Sequence, residues 1–329
     1  MIVSSLDRYL ANRRHFLGLG IGTAASAVVG CDNADEVETS GEFFTPLDFG
    51  GSFDPEMPEH NTLAFCKLMS DTRDGVENCG YFKGNVLAYV GPSNRLEPLF
   101  GYEGFGMTRT EQIGEYSWRK FHKEVAYYID LKTGKVMDSW YNPFIEEQVG
   151  VVQVHNDIVN SIWAPTYSFG VGPDKVSFPF VFPWVVMGDN AIVDFGVNIT
   201  HPSVLRPDQW PRESHGDVTQ VMEAIQIHTR VSELMDPTRT SLQVSGSWQR
   251  IAPWLPWMLM GQAPGHLFYK TVTRKMEEGI DGLPDHIRQY TEKNYPDYFS
   301  APKIWKEPNV SSYEVYKKER QPQPFKPEL

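Results

Sequence analysis

Clustered positive charge is what this chain most plainly lacks. Its 329 residues carry 30 lysines and arginines against 42 aspartates and glutamates, a formal net charge of −12. Nucleic acid is therefore not an expected partner, because phosphate binding needs cationic side chains gathered on one surface. Cysteine is scarce too: only Cys31, Cys66 and Cys79 occur. The last two leave a small disulfide loop or two free thiols equally open, and they make no metal site, since zinc would need two more ligands and His60 sits in a different local context. Among the histidines there is no HxH or HxxxH pair, so His155, His201 and His215 would have to converge from separate loops, and no metal is expected. A G-x-S-x-G elbow is missing, its nearest approach being Val244-Ser245-Gly246-Ser247 in a predicted strand, which removes the serine-nucleophile class. Gly101, Gly104 and Gly106 lack the strand-turn-helix setting of a dinucleotide fingerprint and read as turn or bulge glycines. No cofactor is expected.

Aromatic residues, by contrast, are plentiful, with 9 Trp, 15 Tyr and 19 Phe, and 24 Pro with 27 Gly imply many turns. The length suits one large domain or two small ones, and neither an internal repeat nor a composition break demands two. The densest strand signal runs from His122 to Trp163. Val125 to Ile129 and Val136 to Tyr141 read as a hairpin around Lys132-Thr133-Gly134, with Gly134 left-handed, and Val149 to Val154 follows as a third strand. Leu131 facing Lys135 would set Tyr128 opposite Asp138, Ala126 opposite Trp140 and Glu124 opposite Asn142 on one face. That face either lines a ligand-holding barrel or simply meets water.

The amino terminus resembles a twin-arginine export signal. Asn12-Arg13-Arg14-His15-Phe16-Leu17 is followed by a weakly hydrophobic stretch too short and glycine-rich to span a membrane, with Gly18 where the pattern usually has a basic residue. Val28-Val29-Gly30-Cys31 looks like a lipoprotein cleavage box, with Cys31 as the acylated first residue; ordinary cleavage near Ala-x-Ala is the competitor. Asp32 after that cysteine resembles the signal that retains such proteins at the inner membrane. The expectation is thus a signal over 1–31, a flexible acidic tether over 32–52, and one β-rich domain over 53–329 with an extended C-terminal tail. The first thirty residues hold three arginines and one aspartate, a net +2, so the remainder carries −14.

Further along, Glu59 to Asp71 has helical spacing, and strands are predicted over Asn85 to Val90, Leu96 to Tyr102 and Glu115 to Phe121. Pro179 and Pro183 break the strand Val176 to Trp184, and Ala191 to Asn198 follows. Val221, Ile225, His228 and Val231 share a stripe that predicts a long helix over Val218 to Met235. Leu242 to Trp248 and His266 to Thr273 are two more strands, Leu283 to Asn294 is a helix stopped by Pro296, and the tail from Glu307 reads as draped over the surface. The expected fold is mainly β: an antiparallel meander closing into a barrel or strongly curved, calycin-like sheet with two or three peripheral α-helices.

Two constellations carry candidate chemistry. His155 ends a strand beside Asp157, and imidazole suits proton transfer at neutral pH, so His155 is the candidate base with Asp157, Glu124, Tyr128 and Asp138 as acids or orienters. The run Ser247 to Gly261 packs three tryptophans and one cation into fifteen residues. Trp248, Trp254 and Trp257, joined by Trp140 and Asn142, form a candidate apolar wall, with Arg250 to hold a carboxylate or oxyanion. The structural alternative is a loop plugging a barrel end.

The segments EVAYYIDLKTGKVMDSWYNP, VVQVHNDIVN, the run from Trp248 to Met258 and the late YPDYFSAP resemble a bacterial family catalogued as domain of unknown function 1838. The resemblance covers most of the mature chain and implies an exported or periplasmic one-domain protein, and no reaction. The functional expectation is therefore an envelope protein held by a lipid anchor. It would bind a small hydrophobic or aromatic molecule and act as a cofactor-free lyase, isomerase or hydrolase. The alternatives are a non-catalytic ligand-binding lipoprotein and an envelope assembly factor.

Overall fold

The computed structural model describes residues 48–90, 96–158, 160–169, 176–305 and 311–324, so the predicted export signal, Cys31 and most of the predicted tether lie outside the described residues. In chain order the elements are α1 (Pro58–Met69), β1 (Asn78–Tyr89), β2 (Glu97–Gly114), β3 (Ser117–Ile129), β4 (Ser139–Asn142) and β5 (Glu147–Gly150). Then come β6 (Val154–Ile158), β7 (Ser161–Trp163), β8 (Thr166–Phe169), β9 (Val176–Pro179), β10 (Trp184–Met187), β11 (Asn190–Pro202) and β12 (Val218–Arg230). The one-turn α2 (Val231–Leu234), β13 (Ser245–Ala252), β14 (His266–Met276), α3 (Asp285–Asn294) and α4 (Ser312–Glu319) complete it. The main sheet is antiparallel, in the order β10-β11-β12-β13-β14-β1-β2-β3-β6, with β7 also on β3.

Two-residue alternation decides which side chains enter the core. On β3, Ala126 and Tyr128 join the large cluster on one face, while Val125, Tyr127 and Ile129 pack on the other with Leu283, Ile287 and Ala301. Both faces of this strand are therefore covered, and the solvated alternative for the Glu124–Tyr128 face falls away: Glu124 and Tyr128 are each 1% exposed.

No hydrogen-bonded ladder joins β10 to β6 or β7 among the described residues, yet the two margins of the sheet converge on α1. The Phe65 ring lies 5.1 Å from Trp163 of β7 and 4.6 Å from Phe182, just ahead of β10. Asn61 Oδ1 accepts the Phe182 amide at 3.0 Å and the Trp184 indole N–H at 2.8 Å. A Cβ on Gly84 of β1 would collide with the Lys270 carbonyl of β14, so the strands approach closer there than any side chain allows. Gly84→Ala is expected to destabilise the fold by about 1–3 kcal/mol in urea unfolding. Gly80→Ala, on the same strand with nothing within 4 Å of its new methyl, should be near neutral and is the control.

Helix α1 begins at Pro58, whose missing N–H costs nothing at a helix start, with Glu59 in its first turn and Lys67 in its last. Its C-terminal carbonyls are capped from the sheet: the buried Lys275 amine donates to Lys67 O at 3.0 Å and to Ser70 O. Lys67 itself donates to Leu234 O and Asp236 O. Among the described residues no helix is long and apolar enough to cross a membrane.

Several expectations are corrected. Val218 to Met235 is a strand followed by one helical turn; its buried positions alternate, Thr219, Val221, Glu223, Ile225, Ile227 and Thr229. The hairpin after β3 holds for one bridge only, Ile129 to Val136, and its loop is one residue longer than predicted because Asp130 Oδ1 accepts the amides of Lys132 and Thr133. Gly134 is left-handed as expected, with φ 67°. Beyond the bridge, β6 takes the edge of β3, pairing Ala126 with Val154 and Glu124 with Asp157, while β4 pairs with β5. Gly101, Gly104 and Gly106 lie inside β2 and are not turns. Phe49 is 3% exposed and packs edge-on against His60, so the folded part begins before residue 53. The tail contains α4, whose Ser311 and Glu314 form a reciprocal capping box. Cys66 and Cys79 are buried free thiols.

Candidate functional site

Two neighbouring rows of side chains cross the inner face of the sheet. One runs Glu223, Arg250, Tyr269, Val86 and Phe100 from β12 to β2. The next runs Ile225, Trp248, Thr271, Gly84, Tyr102 and Tyr128 from β12 to β3. Gly84 supplies no side chain in the middle of the second row. Over it Tyr102, Trp248 and Tyr269 meet, with ring centroids 5.2 Å apart for Tyr102–Tyr269 and 5.6 Å for Trp248–Tyr269.

Arg250 and Glu223 are buried together, Nε to Oε1 3.7 Å, and the Trp248 indole donates to Glu223 Oε2 at 3.2 Å. Burial pushes the Glu223 carboxyl up, against the opposing pull of Arg250 and Trp248. Burial works against the Arg250 charge, yet Glu223 and the surrounding phenols of Tyr269, Tyr313 and Tyr102 outweigh it and keep the guanidinium above its usual value. Tyr128 and Tyr269 are joined through their hydroxyls; burial lifts Tyr269 to about 12 and Tyr128 well above its ordinary value. At neutral pH the group therefore holds one guanidinium beside the Glu223 carboxyl and a set of protonated phenols, an arrangement of donors fit for an anionic oxygen.

Of these side chains Arg250, Tyr102, Tyr128 and Tyr269 wall a cavity of about 50 Å³. Trp257 forms another part of its wall, stacked edge-on to Tyr128 at 5.2 Å, and its buried indole N–H has no hydrogen-bond partner among the described residues. Tyr313 and Tyr316 of α4 close the remaining side. A buried donor with no acceptor is uncommon enough to ask for a ligand-side explanation.

Of the sequence-predicted residues, the structure brings Tyr128, Trp248, Arg250 and Trp257 together, with Trp140 behind Trp257 at 6.0 Å. His155 reaches the cavity rim, but its Nδ1 lies 3.0 Å from Gln153 O, its Nε2 3.8 Å from Glu319, and its ring stacks on Tyr295 at 4.8 Å. Three candidates lie elsewhere. Asp138 is exposed on the far side and accepts from Tyr290 at 3.4 Å, because the hairpin that was to carry it inward ends after one bridge. Asn142 is consumed structurally, donating to Met258 O at 2.7 Å and accepting the Phe144 amide. Trp254 donates to Ala263 O and packs against Phe144 outside the polar rows. The side chain of Asp157 lies outside the described residues.

Glu124 belongs to a second polar group farther along β3. His122 Nδ1 lies 2.6 Å from Thr108 Oγ1, and its Nε2 is 3.6 Å from Glu124 Oε2. The His122 ring covers Gly106, where a Cβ would strike it. Burial holds His122 well below its usual value and brings the neighbouring Lys120 amine down to about 7, with Glu124 opposing. Among the described residues no three His, Cys, Asp or Glu side chains group as metal ligands.

Tyr102, Glu223, Tyr269, Tyr313 and Tyr316 were not singled out from sequence. Glu223 was hidden by the helical assignment of its segment, and Tyr313 and Tyr316 by the draped-tail assignment, although Ser311-x-x-Glu314 is a legible helix start.

The model of a family described as protein of unknown function, DUF1838, matches residues 77–320, a span that includes every strand of the large sheet and α4. None of the curated proteins matches the chain.

Proposed function

This chain belongs to that uncharacterised family, DUF1838, and within it we propose an envelope protein that binds a small aromatic molecule carrying one anionic oxygen in the Arg250 cavity. The single observation that carries this is the unpartnered Trp257 N–H in the same wall as a buried guanidinium and the Tyr128–Tyr269 pair. The convergence of both sheet margins on Phe65 supports treating the sheet as the wall of a barrel-like cup, open toward α4. In this proposal Arg250 and the Trp257 N–H hold the oxygen, and the protonated Tyr128, relayed through Tyr269, gives a proton to charge that develops on the substrate. His155, whose contacts run to Glu319 and Tyr295, keeps the rim in place. Export by the twin-arginine signal and attachment through Cys31 complete the proposal. Cys31→Ala should move the protein from the membrane fraction to the soluble one, and an unchanged distribution would remove the anchor.

The test is a calorimetric screen of small aromatic carboxylates and phenols against the mature protein, repeated on Arg250→Lys and Tyr128→Phe. Lysine keeps the charge against Glu223 but loses the planar fork, so binding should weaken at least about tenfold with the near-UV circular dichroism retained. Tyr128→Phe should bind within a few-fold and lose about 10²–10⁴ in turnover of any compound that is converted. Binders indifferent to Arg250→Lys would put the site elsewhere. Binding that depends on Arg250, with no conversion of any compound, would favour the non-catalytic carrier.

A further inference from the structure

Helix α4 fills the cavity with its own aromatic residues. Tyr313 and Tyr316, three positions apart and so on one face, reach into the cup. Tyr313 lies close enough to Arg250 to help hold its charge, and its ring meets His215 at 6.0 Å. Tyr316 is buried against Trp210 at 6.0 Å. The cavity left beside them, about 50 Å³, has room for a few waters at about 10–15 Å³ each. It is far below the roughly 300 Å³ at which small-molecule pockets begin. An aromatic ligand fits only where a tyrosine side chain now stands.

Beyond the packing of Tyr313 and Tyr316 against the core cluster, what secures α4 is slight. Among the described residues no backbone hydrogen bond joins 311–320 to the sheet. Its polar ties among the described residues are Lys317 Nζ to Val204 O at 3.3 Å and Glu319 to His155 at 3.8 Å, both from exposed side chains, and Gln323 N to Glu213 at 2.7 Å just beyond it. The Ser311–Glu314 capping box satisfies the helix start from within, without drawing on the sheet.

We propose that α4 is a displaceable plug, that Tyr313 occupies the place of the ligand beside Arg250, and that the ligand is accordingly a hydroxylated aromatic about the size of a tyrosine side chain. This rests on the reading of the Arg250 cavity as the binding site. Ligand and α4 then compete for one space, which makes the plug a brake on affinity: the free energy of lifting α4 is subtracted from that of binding.

The experiment uses the mature full-length protein with 4-hydroxybenzoate as probe, measured by calorimetry and by hydrogen exchange of the α4 amides. Tyr313→Ala should bind the probe at least tenfold more tightly than the parent, Arg250→Lys in that background should abolish the gain, and saturating probe should speed α4 exchange in the unmutated chain. Equal, Arg250-dependent affinity of parent and Tyr313→Ala, with α4 exchange unchanged by probe, would overturn the plug and leave the site standing. Failure of both proteins to bind the probe would remove the site and the plug together. The exchange measurement needs no variant, so an unstable Tyr313→Ala leaves the proposal open to refutation.

Discussion

Replacing Arg250 by methionine is expected to lower the unfolding free energy by about 3–5 kcal/mol, because a buried ion pair that loses one partner leaves an uncompensated charge in the core. Among the described residues Glu223 would keep only the Trp248 N–H, at 3.2 Å, and its Oε1 already lacks a hydrogen bond there with Arg250 present. The methionine stem replaces most of the lost packing volume, so the effect reads the charge and not a cavity. Arg250→Met with Glu223→Gln removes both charges and should recover most of the loss, since apolar or neutral replacement of a whole buried pair is often tolerated.

The penalty also has a sign in pH. Burial already raises the Glu223 carboxyl in the intact protein, and Arg250 opposes that rise. Without Arg250 the folded value climbs further above the unfolded one. A carboxyl raised in this way contributes stability that is full below its unfolded pKa and lost as pH rises through the folded value. The Arg250→Met penalty should therefore be smaller at pH 5 than at pH 8 in urea titrations followed by tryptophan fluorescence. A penalty independent of pH, unrelieved by Glu223→Gln, would show that Arg250 matters for its packing alone.

How much of this was legible depended on the range of the interactions. Strand content, α1, α3 and the broken strand around Pro179 and Pro183 follow from local pattern. So does the alternation on β3 that separates Tyr128 from Tyr127. The helix assigned to Val218–Met235 failed because Val221 and Ile225, four apart, satisfy a period of two as well as one of 3.6. Ile227, Thr229 and the other β-branched residues there are the local evidence for a strand. With that segment extended, Glu223 lands opposite Arg250 by register, and the ion pair becomes visible.

Other parts were out of reach. Nothing local says that β6 will displace β4 from the edge of β3, and that exchange decides whether Asp138 and Asn142 face the Arg250 cavity. Nor does the polar tail announce what it covers. Tyr313 and Tyr316 look like surface residues of a short charged helix until the Arg250 cavity is known to lie beneath them.

Stability should rise with pH from 7 to about 9, opposite to the ordinary expectation of a plateau or decline. Two buried amines drive it. Desolvation brings Lys120 down to about 7, with Glu124 opposing and the neutral His122 beside it, and brings Lys275 down to about 7, with Cys66 and Asp71 opposing. Lys67, over the Phe49 ring, is lowered in the same direction. A basic group depressed on folding contributes stability that is full above its unfolded pKa, 10.5 here, and lost as pH falls through the folded value. In the window between the two values the unfolded chain binds the extra proton, so each lysine adds up to about 1.4 kcal/mol per pH unit.

The rise ends because other buried groups have the opposite sign. Burial lifts the Cys66 thiol far above 9.0 and the Cys79 thiol to about 12, and it lifts the phenols of Tyr81, Tyr127, Tyr128, Tyr269 and Tyr316 above 10.0. Their contribution is full below the unfolded values and is lost above them, so the thiols offset the lysines from about pH 9 and the phenols overwhelm them above 10. Urea midpoints should climb between pH 7 and 9 and fall beyond pH 10. Lys120→Met and Lys275→Met should each flatten the climb, with Lys275→Met also lowering the whole curve by uncapping α1. A climb that is absent in the parent protein would mean that both amines stay charged, Lys275 held by the Lys67 and Ser70 carbonyls and Lys120 by Glu124, with the carbonyl cap outweighing burial.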